Sequence, residues 1–378
     1  MTNPGVLFLV AASAAAAAAA TFSPAAAFSP APAFGTRSAP ALAAPASPLS
    51  VSADDVEVDP SDYDLALFSP CKINLFLRII RKRPDGFHDL ASLFQTVGFG
   101  DTLYLTKLPD DEDDDDDDAV AKTSDGDKFE CNMEGVPTDR TNLVLRALDL
   151  VREKTGNADA RFEANLVKRV PAQAGLGGGS GNAAAAMHGA NELLGRPATH
   201  EQLVEWSADL GSDITFFLSH GTAYCTGRGE IMTPINAPFD FTGETKLTIV
   251  KPDIGLSTPA VFGALDYDAL SDEDPEELLS RFLEYGVDAG GDDAYVNDLE
   301  QPAFDCLPEL RKLKEELLEV KGFDHVMMSG SGTSIFCMGE PDDEAGFMKE
   351  FGDREGLSVF PTEFISREKG VGCWFEER

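Results

Sequence analysis

Lys168-Arg-Val-Pro-Ala-Gln-Ala-Gly-Leu-Gly-Gly-Gly-Ser-Gly-Asn-Ala-Ala-Ala-Ala186 holds the densest chemistry in the chain. Glycines at 175, 177, 178 and 179 let the backbone take positive φ and approach a ligand closely. Ser180 and Asn182 offer caps for a helix that runs through the alanines to about Leu194, with Gly195 and Pro197 as stop signals. Backbone N–H groups converging at such a helix start form an anion site suited to nucleotide phosphates. The pattern is neither a Walker A loop, since no Lys follows the glycines, nor a Rossmann turn, since Ser180 stands where the third Gly belongs. A plain Gly-rich turn before a surface helix is the bland alternative, and four glycines against an Ala-rich helix disfavour it.

Phosphoryl transfer also asks for charge neutralisation and for a group that orients or deprotonates the attacking hydroxyl. Lys72 stands in an apolar strand beside Ile73 and Leu75, a costly place for an ammonium without a partner or an anion. Asn74, two residues on, shares its face of the strand. Asp213 precedes the apolar run Ile214–Leu218; read alone, it is a helix cap, and Lys72 alone is a strand-edge lysine reaching solvent.

Three segments together carry a resemblance. Ser69-Pro-Cys-Lys-Ile-Asn-Leu75 with Arg83-Pro-Asp-Gly-Phe-His88, the glycine loop, and Met328-Ser-Gly-Ser-Gly-Thr-Ser334 resemble, in order, the three signatures of the GHMP kinases. They are most similar to the branch that phosphorylates a diphosphocytidyl methylerythritol in non-mevalonate isoprenoid synthesis, and the likeness covers about residues 64–378. It implies an α+β, two-domain fold: an N-terminal domain akin to the second domain of ribosomal protein S5 over 64–236 and a ferredoxin-like domain over 244–378, with the active site between them.

The resemblance makes Asp213 the base, with Lys72 against it to keep the carboxylate ionised. It assigns ATP to Asn142, Leu143, Lys168, Pro171, Ala174, Gly175, Leu176, Gly177, Gly178, Gly179, Ser180, Gly181 and Asn182. It assigns the substrate to Asn74, Phe87, His88, Thr258 and Phe262, with Phe87 and Phe262 sandwiching a cytosine. Phe87 stands where many relatives carry Tyr, and Gly181 where a second Ser is common. Mg²⁺ is expected with ATP, but no acidic ligand is assigned. The competing readings are a homoserine- or mevalonate-type kinase of the same family and a non-catalytic ligand sensor. The Asp-Gly-Phe-His segment argues against the first, and retention of Lys72 with Asp213 against the second.

Composition bounds the rest. At 378 residues the chain exceeds one typical domain, and its formal net charge of −36 argues against nucleic acid or an anionic membrane as partner, since both need a basic face. An acidic nucleotide-binding chain must gather its cations locally, and Lys72, Lys168 and Arg169 are the candidates. Six scattered cysteines and five unclustered histidines give no zinc or disulfide pattern. The expected partner is a small-molecule substrate; the mature form needs no membrane and is a monomer or homodimer.

Residues 1–53 contain no acid and one basic residue, Arg37. The apolar run Val6–Ala20, then Ala25-Ala-Ala-Phe28 and Ala33-Phe34, resembles the bipartite presequence of algae with complex plastids. Asp110–Asp118, acidic throughout, reads as a solvated hairpin insertion rather than a site.

Strands are expected at Tyr63–Phe68, Ile73–Ile80, Leu93–Val97, Thr102–Thr106, Phe162–Leu166, Lys246–Lys251, His325–Met328 and Ile335–Gly339. Helices are expected at Asn142–Lys154, Glu201–Leu210, Thr258–Leu265, Pro275–Glu284, Leu307–Val320 and Asp342–Phe351, with Ile214–Leu218 and Thr222–Cys225 closing the first half. A Pro/Asn/Asp/Gly stretch at Ile235–Gly243 reads as the domain boundary.

Overall fold

The computed structural model describes residues 58–109, 126–235 and 245–366. The presequence, the acidic run Asp110–Asp118 and nearly all of the expected domain boundary lie outside the described residues. The described residues belong to one compact unit.

Two long strands dominate the first half. β1 (Leu65–Lys82) and β2 (His88–Lys107) form an antiparallel ladder that absorbs four of the expected short strands. Register shifts at Pro70/Cys71 and Asn74/Phe76 let one continuous strand change the side that it presents. β3 (Lys128–Cys131), α1 (Leu143–Thr155), β4 (Phe162–Val167), α2 (Gly178–Leu193), α3 (His200–Ser207), α4 (Ile214–Phe217), β5 (Thr222–Gly227) and β6 (Ile231–Pro234) follow. The sheet order is β3-β4-β2-β5-β6, with β1 on β2.

The second half runs β7 (Lys246–Pro252), α5 (Thr258–Gly263), α6 (Pro275–Tyr285), α7 (Glu300–Cys306), α8 (Pro308–Leu318), β8 (Phe323–Met328), β9 (Ile335–Gly339), α9 (Glu344–Phe347) and β10 (Leu357–Glu363). Its sheet order, β10-β7-β9-β8, is that of the ferredoxin-like fold.

Three apolar cores make four layers. Leu67, Leu103 and Leu105 of the first sheet bury against α1 and the alanines of α2, Ala183–Ala186, all at or near zero exposure. Alanine there lets the helix lie close to the strands, which holds its N-terminus rigidly against β1. The opposite face of the first sheet (Ile73, Leu75, Leu93) packs on Leu247, Ile249 and Phe336 of the second, with Phe282 of α6 filling the seam. The far face of the second sheet (Val250, Met328, Ile335) is covered by Leu310, Leu313 and Leu317 of α8. The two sheets share a core, so residues from both halves meet in fixed register.

Among the described residues no helix is long and apolar enough to cross a membrane. Cys71, Cys131, Cys225, Cys306 and Cys337 are free thiols.

Candidate active site

The glycine loop turns where glycine is required. Gly177 adopts φ +71° and stands as the N-cap of α2, so Gly178, Gly179 and Ser180 form the first helical turn and present their N–H groups. This corrects the expected caps. Ser180 sits too deep in the helix to cap it, and Asn182 turns inward, donating to Ser69 Oγ at 3.0 Å and Asp101 Oδ2 at 2.9 Å.

Asp101, fully buried, is the floor of the loop. It accepts from the backbone N–H groups of Arg169 (2.7 Å) and Val170 (2.8 Å) and from Lys168 Nζ at 2.5 Å. A carboxylate satisfied this fully offsets its desolvation and clamps the approach to the glycines. Lys168 is therefore half-committed: its ammonium also donates to Asn182 Oδ1 at 3.2 Å, while the residue still lines the cavity. Arg169 does not belong to the site, since its side chain is exposed and only its amide is engaged.

A cavity of about 940 Å³ opens between the two halves over this loop. It is lined by Lys72, Asn74, Phe87, His88, Asn142, Leu143, Lys168, Pro171, Ala174–Ser180, Asn182, Asp213, Thr258 and Phe262. Every residue that the sequence nominated is there except Arg169 and Gly181. That glycine faces β1, where a Cβ would meet Pro70 O and Ser69 Oγ at 2.9 Å. Its small size lets the helix seat on the strand, so it is a packing glycine outside the cavity lining.

At the centre, Lys72 Nζ donates to Asn74 Oδ1 at 2.8 Å and lies 3.8 Å from Asp213 Oδ2, over the Phe94 ring at 4.5 Å. Asn74 is fixed in turn by a bond from its Nδ2 to Ser92 Oγ at 2.8 Å. Burial pulls the Lys72 pKa below the ordinary lysine value, and the Asp213 charge opposes that fall. Asp213 precedes α4 yet makes no side-chain capping bond, so the cap reading does not hold. Its side chain stays about one-third exposed, facing the cavity. Lys72 also touches the loop, because its backbone N–H donates to Leu176 O at 2.9 Å.

Asn142 caps α1, its Oδ1 accepting from Val144 N at 2.8 Å, and Leu143 lies 3.7 Å from where a Cβ on Gly179 would be. The third glycine segment docks beneath the loop: Ser329 Oγ donates to Gly175 O at 3.0 Å, and Asn297 Nδ2 reaches Met328 O and Gly330 O, both at 2.8 Å. Thr258 Oγ1 pairs with Ser331 Oγ at 2.9 Å. Phe87 is 55% exposed with the Arg228 guanidinium 5.2 Å from its ring centre, so it is not a core aromatic. Phe262 lies against His88, ring centres 4.9 Å apart, too close for a base to enter between that pair.

Asp213 is the one carboxylate among the described residues that line the cavity, and no cluster of three or more His, Cys, Asp or Glu stands ready for a metal. A magnesium ion carried on a nucleotide fits this set, because Mg²⁺ takes most of its ligands from phosphates and water.

Sequence reasoning missed Asp101, Arg228, Lys82, Ser331 and Tyr267. Asp101 carried the same signal as Lys72, a charge inside an apolar strand. Arg228 sits between Gly227 and Gly229 at the tip of a hairpin, a basic turn in an acidic chain. The hydroxyl contact of Tyr267 had no local signature.

Comparison with known proteins finds the GHMP kinases N terminal domain model over residues 142–221 and the GHMP kinases C terminal model over 287–356. The chain is 42% identical over 327 residues to a chloroplastic 4-diphosphocytidyl-2-C-methyl-D-erythritol kinase of Oryza sativa, covering 86% of this chain and 76% of that protein. It is 42% identical over 292 residues to the kinase of the same name from Protochlamydia amoebophila, covering 77% and 90%. A crystal structure titled 4-(cytidine 5'-diphospho)-2C-methyl-D-erythritol kinase superposes with a TM-score of 0.63 at 27% identity, covering 79% of this chain and 99% of that one.

Proposed function

Because the chain belongs to the GHMP kinases, and within them to the 4-diphosphocytidyl-2-C-methyl-D-erythritol kinase family, we propose which of its residues carry out the transfer from ATP to that alcohol. The reaction moves the γ-phosphoryl group of ATP to the 2-hydroxyl of the diphosphocytidyl substrate. The observation that carries the assignment is the Lys72–Asp213 pair, 3.8 Å apart, standing beside the glycine loop in one cavity.

Asp213 accepts the proton of the attacking hydroxyl, or orients it, as phosphoryl oxygen and alcohol come into line. Lys72 keeps that carboxylate ionised and, with Asn74, fixes the alcohol. The N–H groups of Gly178, Gly179 and Ser180 receive the triphosphate, and Asn142, Leu143, Lys168 and Pro171 form the adenine end. The Ser180 hydroxyl and the Asp213 carboxylate are the side-chain oxygens that would help to hold a magnesium ion carried on ATP, which would neutralise phosphate charge. Phe87, His88, Thr258 and Phe262 form the cytosine end, the base stacking beside the His88–Phe262 pair rather than within it. Division of the chain at 236–244 into an ATP-binding lobe and a ferredoxin-like lobe belongs to the same reading.

Coupled ADP release by a chain lacking residues 1–53 tests it. Turnover with the diphosphocytidyl substrate should exceed that with mevalonate or homoserine by at least about 10⁴-fold, since a site built to bond a polar group rejects analogues lacking it. Comparable turnover of any two would remove the substrate assignment, and ligand binding without turnover would favour the sensor.

Residues 1–53 are proposed to carry the chain into a plastid, as the word chloroplastic in the names of the plant relatives suggests. The apolar run and the phenylalanines after small residues further suggest entry by a secretory route into a complex plastid. A fluorescent reporter fused to residues 1–53 should reach the plastid of such an alga, and Phe28→Ala with Phe34→Ala should strand it before the final import step. Cytosolic or secreted signal from the unmutated fusion would refute the targeting.

A further inference from the structure

We propose that Tyr267 is a positioning residue for the cytosine end of the cavity, its hydroxyl deciding which nitrogen of His88 carries the proton and so which pyrimidine is accepted. This rests on the assignment of His88 to the base, and goes beyond it to the origin of base selectivity.

Tyr267 Oη lies 2.6 Å from His88 Nε2, with the rings 17° from parallel and 6.1 Å apart. Phe262 packs on the same imidazole at 4.9 Å. Tyr267 itself is 43% exposed, so its own burial does not hold it there. The short segment that bears it does. Asp266 accepts from Asp268 N at 3.0 Å, fixing the turn on which Tyr267 stands. Four residues on, Ser271 N donates to Asp298 Oδ1 at 3.1 Å, and the buried Arg78 donates both to Ser271 O and, at 3.0 Å, to Asp298 Oδ2. Ile79 N adds a bond to Asp298 Oδ2 at 2.7 Å. The loop is thus tied to β1, the strand that carries Lys72 and Asn74. Leu265 and Leu270, on either side of Tyr267, pack against the outer apolar core.

A neutral imidazole has one N–H and one acceptor nitrogen, and what bonds one nitrogen sets the other. Burial, with the nearby Lys82 charge, holds the His88 pKa below its ordinary value, which favours the neutral ring. The phenol is the stronger donor and imidazole nitrogen the stronger acceptor, so Tyr267 O–H donates to Nε2. The proton then sits on Nδ1, which becomes a donor. At N3 cytosine offers this donor a lone pair, whereas uracil carries a proton there and meets a donor with a donor; O2 accepts in both bases and does not discriminate. A fixed tautomer therefore selects cytosine without any direct contact from Tyr267.

Competitive inhibition by CDP and by UDP, at fixed ATP, tests this on the full chain and on Tyr267→Phe. The wild-type chain should prefer CDP. Tyr267→Phe keeps the ring, loses the hydroxyl, and should cut that preference about five- to tenfold, the reach of one neutral hydrogen bond, with KM for ATP unmoved. Nitrogen-15 NMR of the His88 ring should change from Nδ1–H to a mixture of tautomers. A CDP preference that survives Tyr267→Phe refutes this inference alone, as does a loss seen only in Tyr267→Ala, which would mean ring packing. A wild-type chain that turns over the diphosphocytidyl substrate yet binds CDP and UDP alike refutes it too. Absence of that turnover refutes the underlying substrate assignment instead.

Discussion

Asp213→Asn lowers kcat by roughly two to four decades while KM for ATP stays within a few-fold of the parent. That range is the usual worth of a positioned general base. Asparagine keeps the shape of the carboxylate and removes the acceptor charge. No structural bond is lost with it, since the side chain makes no helix cap, and its described charged partner is Lys72 at 3.8 Å. The same pair predicts the pH profile. Lys72 is pulled below the ordinary lysine value of 10.5, chiefly by burial, so as pH rises its proton leaves before 10.5 is reached. Loss of that charge removes the counterion of Asp213 and should give kcat an alkaline limb below pH 10.5. Lys72→Arg, which cannot deprotonate, should abolish the limb even if it lowers the plateau. Steady-state kinetics over pH measure both effects; turnover of Asp213→Asn within a few-fold of the parent would make Asp213 structural.

Gly175→Ala should be one of the most damaging single methyls among the described residues. Gly175 takes φ +75°, and a Cβ there would fall 2.1 Å from Ser329 O and 3.0 Å from Gly332 N, both backbone atoms. The left-handed conformation alone costs about 1–2 kcal/mol for a side chain. The overlap can be relieved only by separating the glycine loop from the third glycine segment. That breaks the Ser329 Oγ bond to Gly175 O and the Ser334 N bond to Ala174 O. Two lost bonds of about 1 kcal/mol each bring the total to roughly 3–4 kcal/mol. A domain of this size should then lose about 6–16 °C in Tm, and KM for ATP should rise at least about tenfold. Gly195→Ala is the control, because Gly195 has φ +83° and open space around its Cβ position. It should show the conformational cost alone, with ATP kinetics unchanged. Equal losses at 175 and 195 would refute the docking argument. Calorimetry and ATP titration separate the two.

What could be read from the residues was what local chemistry encodes. Glycines that need positive φ, a helix of alanines, a lysine stranded among Ile73 and Leu75, and the order of three motifs pointed to the family and, through it, to about half of the residues that line the cavity. The α+β class followed from the mixture of periods, each a property of a short window. Boundaries were less legible. Ser180 and Asn182 looked like caps because their residue types favour capping, but Gly177 starts the helix earlier and Asn182 is claimed by Asp101, 81 positions away. Lys168 read as a free cation because its buried counterion lies 67 residues off in sequence. Gly181 read as a ligand contact because nothing local says that it faces Pro70 and Ser69. Tyr267 reaches His88 across 179 residues, held there by the tie of its loop to Arg78 and Asp298 and by the packing of Leu265 and Leu270. Residue type and spacing determine what a segment can do, because backbone freedom, charge and periodicity are local. Which partner satisfies each buried charge or hydroxyl is decided by tertiary packing, because that partner comes from whichever distant strand or loop the shared core brings within 3 Å.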